Sequence, residues 1–161
     1  MGMGSDRPHS PVERGRSMTA AALIGAALMA AVDEIVFHQL LGWHHFFDRA
    51  TPAVGLLSDG LLHTAELLAL VAGFVLWADL RRRGTLSSAH ARAGLLLGAG
   101  GFQLFDGLVD HKVLRLHQIR YGVPDLLVYD LLWNGAALAL LAAGAVLAVR
   151  ARAVTGPGTG R

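Results

Sequence analysis

Four apolar stretches, each about as long as a bilayer is thick, constrain this chain more than any other feature. A hydrocarbon core of roughly 30 Å takes about 20 helical residues to cross. Stretches of this kind run over about 18–43, 60–80, 93–116 and 126–150. In lipid every backbone N–H and C=O must be bonded within the segment, so an open chain crosses only as helix. The spacing predicts an all-α, polytopic membrane four-helix bundle over residues 18–150. Charged residues make up 16% of the chain, against about 25% in soluble domains. Residues 1–17 and 151–161 are polar or Gly/Pro-rich and are expected to be disordered tails. Arg14 and Arg16 before an Ala/Leu run resemble the start of a secretory signal. That stretch is too long for one, and it continues through Ile35, Val36, Phe37, Leu40 and Leu41.

Loop charge predicts the orientation. Arg7, Arg14, Arg16, Arg81, Arg82, Arg83, Arg92, Arg150, Arg152 and Arg161 fall on one side and only Arg49, Lys112, Arg115 and Arg120 on the other. Both termini are therefore expected on the cytoplasmic face of a plasma membrane, with the chain multi-pass. The partner this implies is the lipid bilayer, and a homo-oligomer is compatible with so short a chain. The net charge of +2, with arginines in loops rather than along one helix face, excludes nucleic acid. The chain has no cysteine, which removes disulfides, thiolate metal sites and Cys nucleophiles together.

A repeat carries the chemistry. Asp33, His38 and His44 recur as Asp106, His111 and His117, with the same spacing and an offset of 73 residues (106 minus 33). The second members align more weakly, Asp59 to His63 with Asp125 to Tyr129 at an offset of 66 (125 minus 59). The bundle is thus expected to be two tandem, parallel-related two-helix repeats about a pseudo-twofold axis along the membrane normal. Most of the His and acidic side chains fall toward the outer ends of these spans. At α-helical phase, Glu34, His38 and His45 lie within about 40° of one another, and Asp59, His63 and Glu66 within about 60°. Asp106, Asp110 and His117 share a stripe from which His111 stands about 100° or more away. Each polar stripe is expected to face the middle of the bundle.

Ionisable groups inside a bilayer cost about 2.5–3.5 kcal/mol each at the centre, and few Lys or Arg are near enough to compensate. A metal ion neutralises carboxylates and takes neutral imidazole nitrogen. His38, His63 and His111, each with a carboxylate close by, are the first candidate ligands. His44, His45 and His117 read equally as ligands or as interfacial loop residues. Glu34, Glu66 and Asp110 are candidate general bases. Glu66 reads alternatively as a partner orienting His63, and Asp110 as a partner of Lys112 or Arg115. Trp43, Trp77, Tyr121 and Trp133 read as interface anchors.

The segments DEIVFHQLLGWHH, SDGLLH and FDGLVDHKVLRLHQIR resemble a domain-of-unknown-function family of small bacterial four-helix membrane proteins. The resemblance covers essentially the whole helical core. It implies a bacterial plasma membrane and makes Asp33, His38, His44, His45, Asp59, His63, Asp106, His111 and His117 the motif positions. Glu34 departs from the motif's Gly, and Gln118 from a His that would complete a His-His pair.

Four functions fit these residues. The first is a membrane metalloenzyme, a hydrolase or oxidoreductase that activates water or oxygen at a polynuclear His/carboxylate site holding iron, zinc or copper. The second is copper or zinc handling or delivery. The third is a haem b electron carrier ligated by His38 and His111, against which the carboxylates count. The fourth is a structural protein with a hydrogen-bonded polar core. The metal site, with catalysis ahead of handling, is the expectation taken forward.

Overall fold

The computed structural model describes residues 11–153. Among them there is no strand, and four helices account for the fold. Helix α1 (Arg14–Asp33) runs without a break into a π-helical segment, π1 (Glu34–Leu40). Helix α2 (Pro52–Arg82) follows a loop, and Pro52 stands in its first turn, where a missing N–H costs nothing. Helix α3 (Ser88–Phe105), capped by the Ser87 side chain, runs into a second π segment, π2 (Asp106–Val113). Helix α4 (Leu127–Ala153) closes the chain. The expected tails fall largely on residues 1–10 and 154–161, outside the described residues. Arg14 to Ser17 and Ala151 to Ala153, expected in those tails, are helical instead.

Among the described residues, three helices are long and apolar enough to cross a membrane: Arg14–Leu40, Pro52–Arg82 and Leu127–Ala153. The third expected span does not reach that standard. Arg92, Gln103, Asp106 and Asp110, with a run of glycines, dilute its hydropathy. Its neighbours explain why it can be more polar. Helix α3 packs on both α1 and α4, whereas α2 packs only on α1 and its continuation π1. The order across the molecule is therefore α2, α1, α3, α4, with α1 and α3 as the central pair. Exposed Leu56, Leu57, Leu61, Leu68, Val71, Leu131 and Leu132 cover the outer helices, as lipid contact requires.

Glycines join the central pair. A Cβ at Gly98 would collide with the Ala22 carbonyl, one at Gly94 with that of Met18, and one at Gly25 with that of Leu95. Such small-residue contact replaces the hydrophobic drive that lipid removes. The pairs also show that α1 and α3 run parallel, since Met18 lies beside Gly94 and Ala22 beside Gly98. Gly98→Val is expected to lower stability by about 1–3 kcal/mol through overpacking, read as an earlier thermal melt in detergent.

Contacts recur at the 73-residue offset. Leu41 N–H bonds the Val36 carbonyl and Leu114 N–H that of Val109. Trp43 N–H bonds Phe37 and Leu116 N–H bonds Asp110. Each π segment then leaves through one left-handed residue, Gly42 (φ 57°) and Arg115 (φ 53°). Gly takes this conformation without strain and Arg does not. Arg115→Gly should therefore stabilise the protein by about 1 kcal/mol, with a later melt and an unchanged helical signal.

Candidate metal centre

The two π segments decide which side chains meet. In an α-helix, residues five apart point about 140° away from each other. An i→i+5 ladder instead sets the later residue over the earlier one. Asp33 and Asp106 precede His38 and His111 by five positions, and both pairs close, with carboxylate–Nε2 distances of 3.6 Å and 3.3 Å. The α-helical phase expected for span three is thus corrected. His111 does not stand apart but packs with Asp106 and His117, its Nε2 at 2.8 Å from His117 Nε2.

Beyond the π segments the chain leaves helical structure, and each half reaches across to the other. His44 Nδ1 bonds the Ile119 carbonyl at 2.9 Å, and His117 Nδ1 bonds the Phe46 carbonyl at 2.9 Å. The two rings stack, with centroids 4.5 Å apart and planes 7° from parallel. His38 and His111 pack on this stack in matching positions, each with its centroid 4.5 Å from the His six residues further on. The cross-half approaches also match, 5.8 Å for His38 to His117 and 6.0 Å for His111 to His44.

The hydrogen bonds fix the tautomers. A carbonyl only accepts, so Nδ1 of His44 and His117 carries the proton and Nε2 offers the lone pair. Burial, followed by the neighbouring imidazoles, pushes His44 down to about 2, which keeps it neutral. His38 Nδ1 bonds Asp59 Oδ1 at 3.2 Å and lies 2.8 Å from Glu34 Oε2, leaving its Nε2, like that of His44, without a hydrogen-bond partner, whereas His117 Nε2 meets His111 Nε2. An outer nitrogen anchored to a carbonyl or carboxylate, with the inner nitrogen free, is how proteins hold metal-binding histidines.

One ligand atom from each of His38, His44 and His117 lies within 4.8 Å of the others. The same holds for Asp106, His111 and His117, and for Glu34, His38 and Asp59. All these residues are buried. His38 Nε2, His44 Nε2, His111 Nδ1 and Asp106 Oδ2 are buried without a hydrogen-bond partner. Each such atom costs about 1–3 kcal/mol if nothing meets it. Asp33, Glu34, Asp59, Glu66 and Asp106 form ion pairs, all of them with histidine. The donor set is imidazole plus carboxylate in a buried pocket, which suits a divalent transition metal.

The other expected site residues lie around this core. His45 bonds Asp59 Oδ2 at 2.5 Å and His63 contacts Glu66 Oε1 at 2.5 Å, but their side chains are 34% and 40% exposed. Neither joins a group able to hold an ion. Glu34 accepts from Gln39 Nε2 at 3.0 Å besides facing His38. Glu66 Oε2 is buried and unpartnered. Asp110 is buried; Lys112 pairs with Asp130 and not with it. The carbonyls of Phe46 and Ile119 were missed by sequence reasoning, since a backbone acceptor leaves no residue-type signal.

A family model described as "predicted membrane protein (DUF2243)" matches residues 20–151. No curated protein and no solved structure matches the chain. The match takes in all of Pro52–Arg82, most of the other two apolar spans, both π segments and every residue of the buried His/Asp cluster, and the chain belongs to this family of predicted membrane proteins.

Proposed function

We propose that this membrane protein holds a polynuclear transition-metal centre built from Asp33, His38, His44, Asp106, His111 and His117, with Asp59 orienting His38, and that it is a metalloenzyme. The observation that carries the reading is the set of four buried imidazoles, three of which are held through Nδ1 so that Nε2 faces the cluster. A purely structural polar core would pair all of those atoms, as His117 Nε2 is paired with His111 Nε2. Here His38 Nε2 and His44 Nε2 lack hydrogen-bond partners. The paired contacts at the 73-residue offset support two related ion positions, one per repeat. The metal would supply Lewis acidity or redox chemistry, with iron, zinc or copper all compatible with an Asp/His set. Glu66 and Asp110 are the carboxylates left free to move protons. The haem reading loses support, because the His44–His117 stack fills the space beside His38 and His111.

Metal handling is the second reading. His45 and His63, part-exposed imidazoles beside Asp59 and Glu66, give an ion a stepwise route inward. In both readings α3 crosses the bilayer as a fourth span between α1 and α4. The arginine-rich end with both termini then lies in the cytoplasm and the metal centre near the opposite face.

Metal content by mass spectrometry on protein purified in mild detergent tests the proposal. The wild type should carry one to three equivalents of a transition metal, as about that number fits a dinuclear-type donor set. The His38→Ala, His111→Ala double variant should carry almost none. Protein that arrives metal-free and refuses added iron, zinc and copper would overturn it.

A further inference from the structure

A cavity of about 280 Å³ lies beside the metal centre but shares no candidate ligand with it. Its walls include Phe37, Trp43, Tyr129, Leu132, Trp133 and Ala136, with Gln103 and Ile119 completing the lining. The surface is almost wholly apolar, and exposed Leu132 and Ala136 open it sideways, toward lipid. The aromatic walls are ordered against one another. Phe37 meets Trp43 at 5.1 Å and Trp133 edge-on at 5.3 Å, and Trp43 meets Tyr129 edge-on at 5.7 Å.

A cation stands at one end of this groove. The Arg120 guanidinium lies 4.6 Å over the Trp43 ring and 5.3 Å over that of Tyr129, and it donates to the Tyr129 hydroxyl at 2.7 Å. Arg120 belongs to the irregular segment before α4, while Ala136 lies seven residues past Tyr129 along the helix. That separation is about 10 Å along the axis, from headgroup depth into the hydrocarbon. At the 66-residue offset, Tyr129 and Leu132 take the places of His63 and Glu66 (129 minus 63, 132 minus 66). The ionisable pair on α2 is thus replaced on α4 by an apolar wall.

We propose that this groove seats one acyl chain of an anionic phospholipid, whose phosphate is held by Arg120. The sideways opening admits a molecule already in the bilayer. The guanidinium, fixed by two rings and a hydroxyl, presents its remaining N–H donors as a pre-set fork for phosphate oxygens. A zwitterionic lipid fills the same groove but gains less from the cation, so the site reads headgroup charge. This inference rests on the membrane location and not on the metal.

The test uses full-length Trp77→Phe protein in phosphatidylcholine nanodiscs, so that Trp43 and Trp133 report the groove. Phosphatidylglycerol or phosphatidylcholine with dibrominated acyl chains is added as contact quencher, with and without a chelator. Brominated phosphatidylglycerol should half-quench at about a five-fold lower mole fraction, the weight of one interfacial cation. Arg120→Gln should abolish that preference. Ala136→Phe, which fills the groove and leaves Arg120 alone, should weaken quenching by both lipids. The preference should persist after chelation, whatever becomes of the metal reading. Equal quenching by the two lipids, or a preference that survives Arg120→Gln, would overturn the proposal. Stronger quenching by brominated stearate than by phosphatidylglycerol would also overturn it, since the occupant would then be a free fatty acid.

Discussion

Adding back the native ion to chelator-stripped protein, at a thousand times its dissociation constant, should raise stability by about 4.1 kcal/mol. For a chain of this size that is a rise of about 8–16 °C in melting temperature. The effect is large because binding and burial concern the same atoms. In the stripped protein the carboxylates of Asp33 and Asp106 stay buried with only imidazoles for company. The ion binds the folded arrangement, because the ligands come from two π segments and two crossing loops that the unfolded chain does not bring together. Thermal melts in detergent at several free-ion concentrations give the test. A melting temperature that ignores an ion shown to be bound would show that the unfolded chain binds it equally well, which contradicts a site made by the fold.

The second large effect belongs to Asp59. Its Oδ1 accepts from Phe46 N–H at 2.7 Å and faces His38 Nδ1 at 3.2 Å, while Oδ2 meets His45 Nδ1 at 2.5 Å. It therefore orients one candidate ligand and also pins the loop that carries the Phe46 carbonyl, to which His117 is anchored. Asp59→Ala leaves buried donors without an acceptor and should cost about 3–5 kcal/mol, the usual result of breaking a buried pair. Asp59→Asn keeps the shape and one acceptor oxygen. It should fold nearly as well and bind metal about 10–100-fold more weakly, as removal of an orienting carboxylate does. Competition with a chromophoric chelator measures this. Wild-type affinity in Asp59→Asn would show that the charge of Asp59 adds nothing to metal binding through His38.

The helices were legible because a long apolar run in this composition has only one way to satisfy its backbone. The cluster was legible because Asp33, His38 and His44 are copied at Asp106, His111 and His117 with no gap. The geometry within it was not. A five-residue Asp-to-His spacing does not share an α-helical face, and phase arithmetic set His111 apart for that reason. The same spacing, found in both halves, was the available sign of an i→i+5 turn. The polar character of α3 was visible in Arg92 and Gln103, but the placement that permits it, between α1 and α4, is a tertiary fact. His63 and His45 looked equal to the buried histidines, because exposure cannot be read from residue type. Arg115 gave no warning of a left-handed turn, since its counterpart Gly42 is the residue that normally marks one.

X-ray absorption at the edge of the metal found in the purified protein is the most direct test of the central claim. The account predicts a first shell of nitrogen and oxygen only, at about 2.0–2.2 Å if the ion is zinc. It also predicts outer-shell scattering from two or more imidazoles, reduced in the His38→Ala, His111→Ala variant. A shell of oxygen alone, unchanged in that variant, would mark an adventitious ion and contradict a metal centre in the buried histidine cluster.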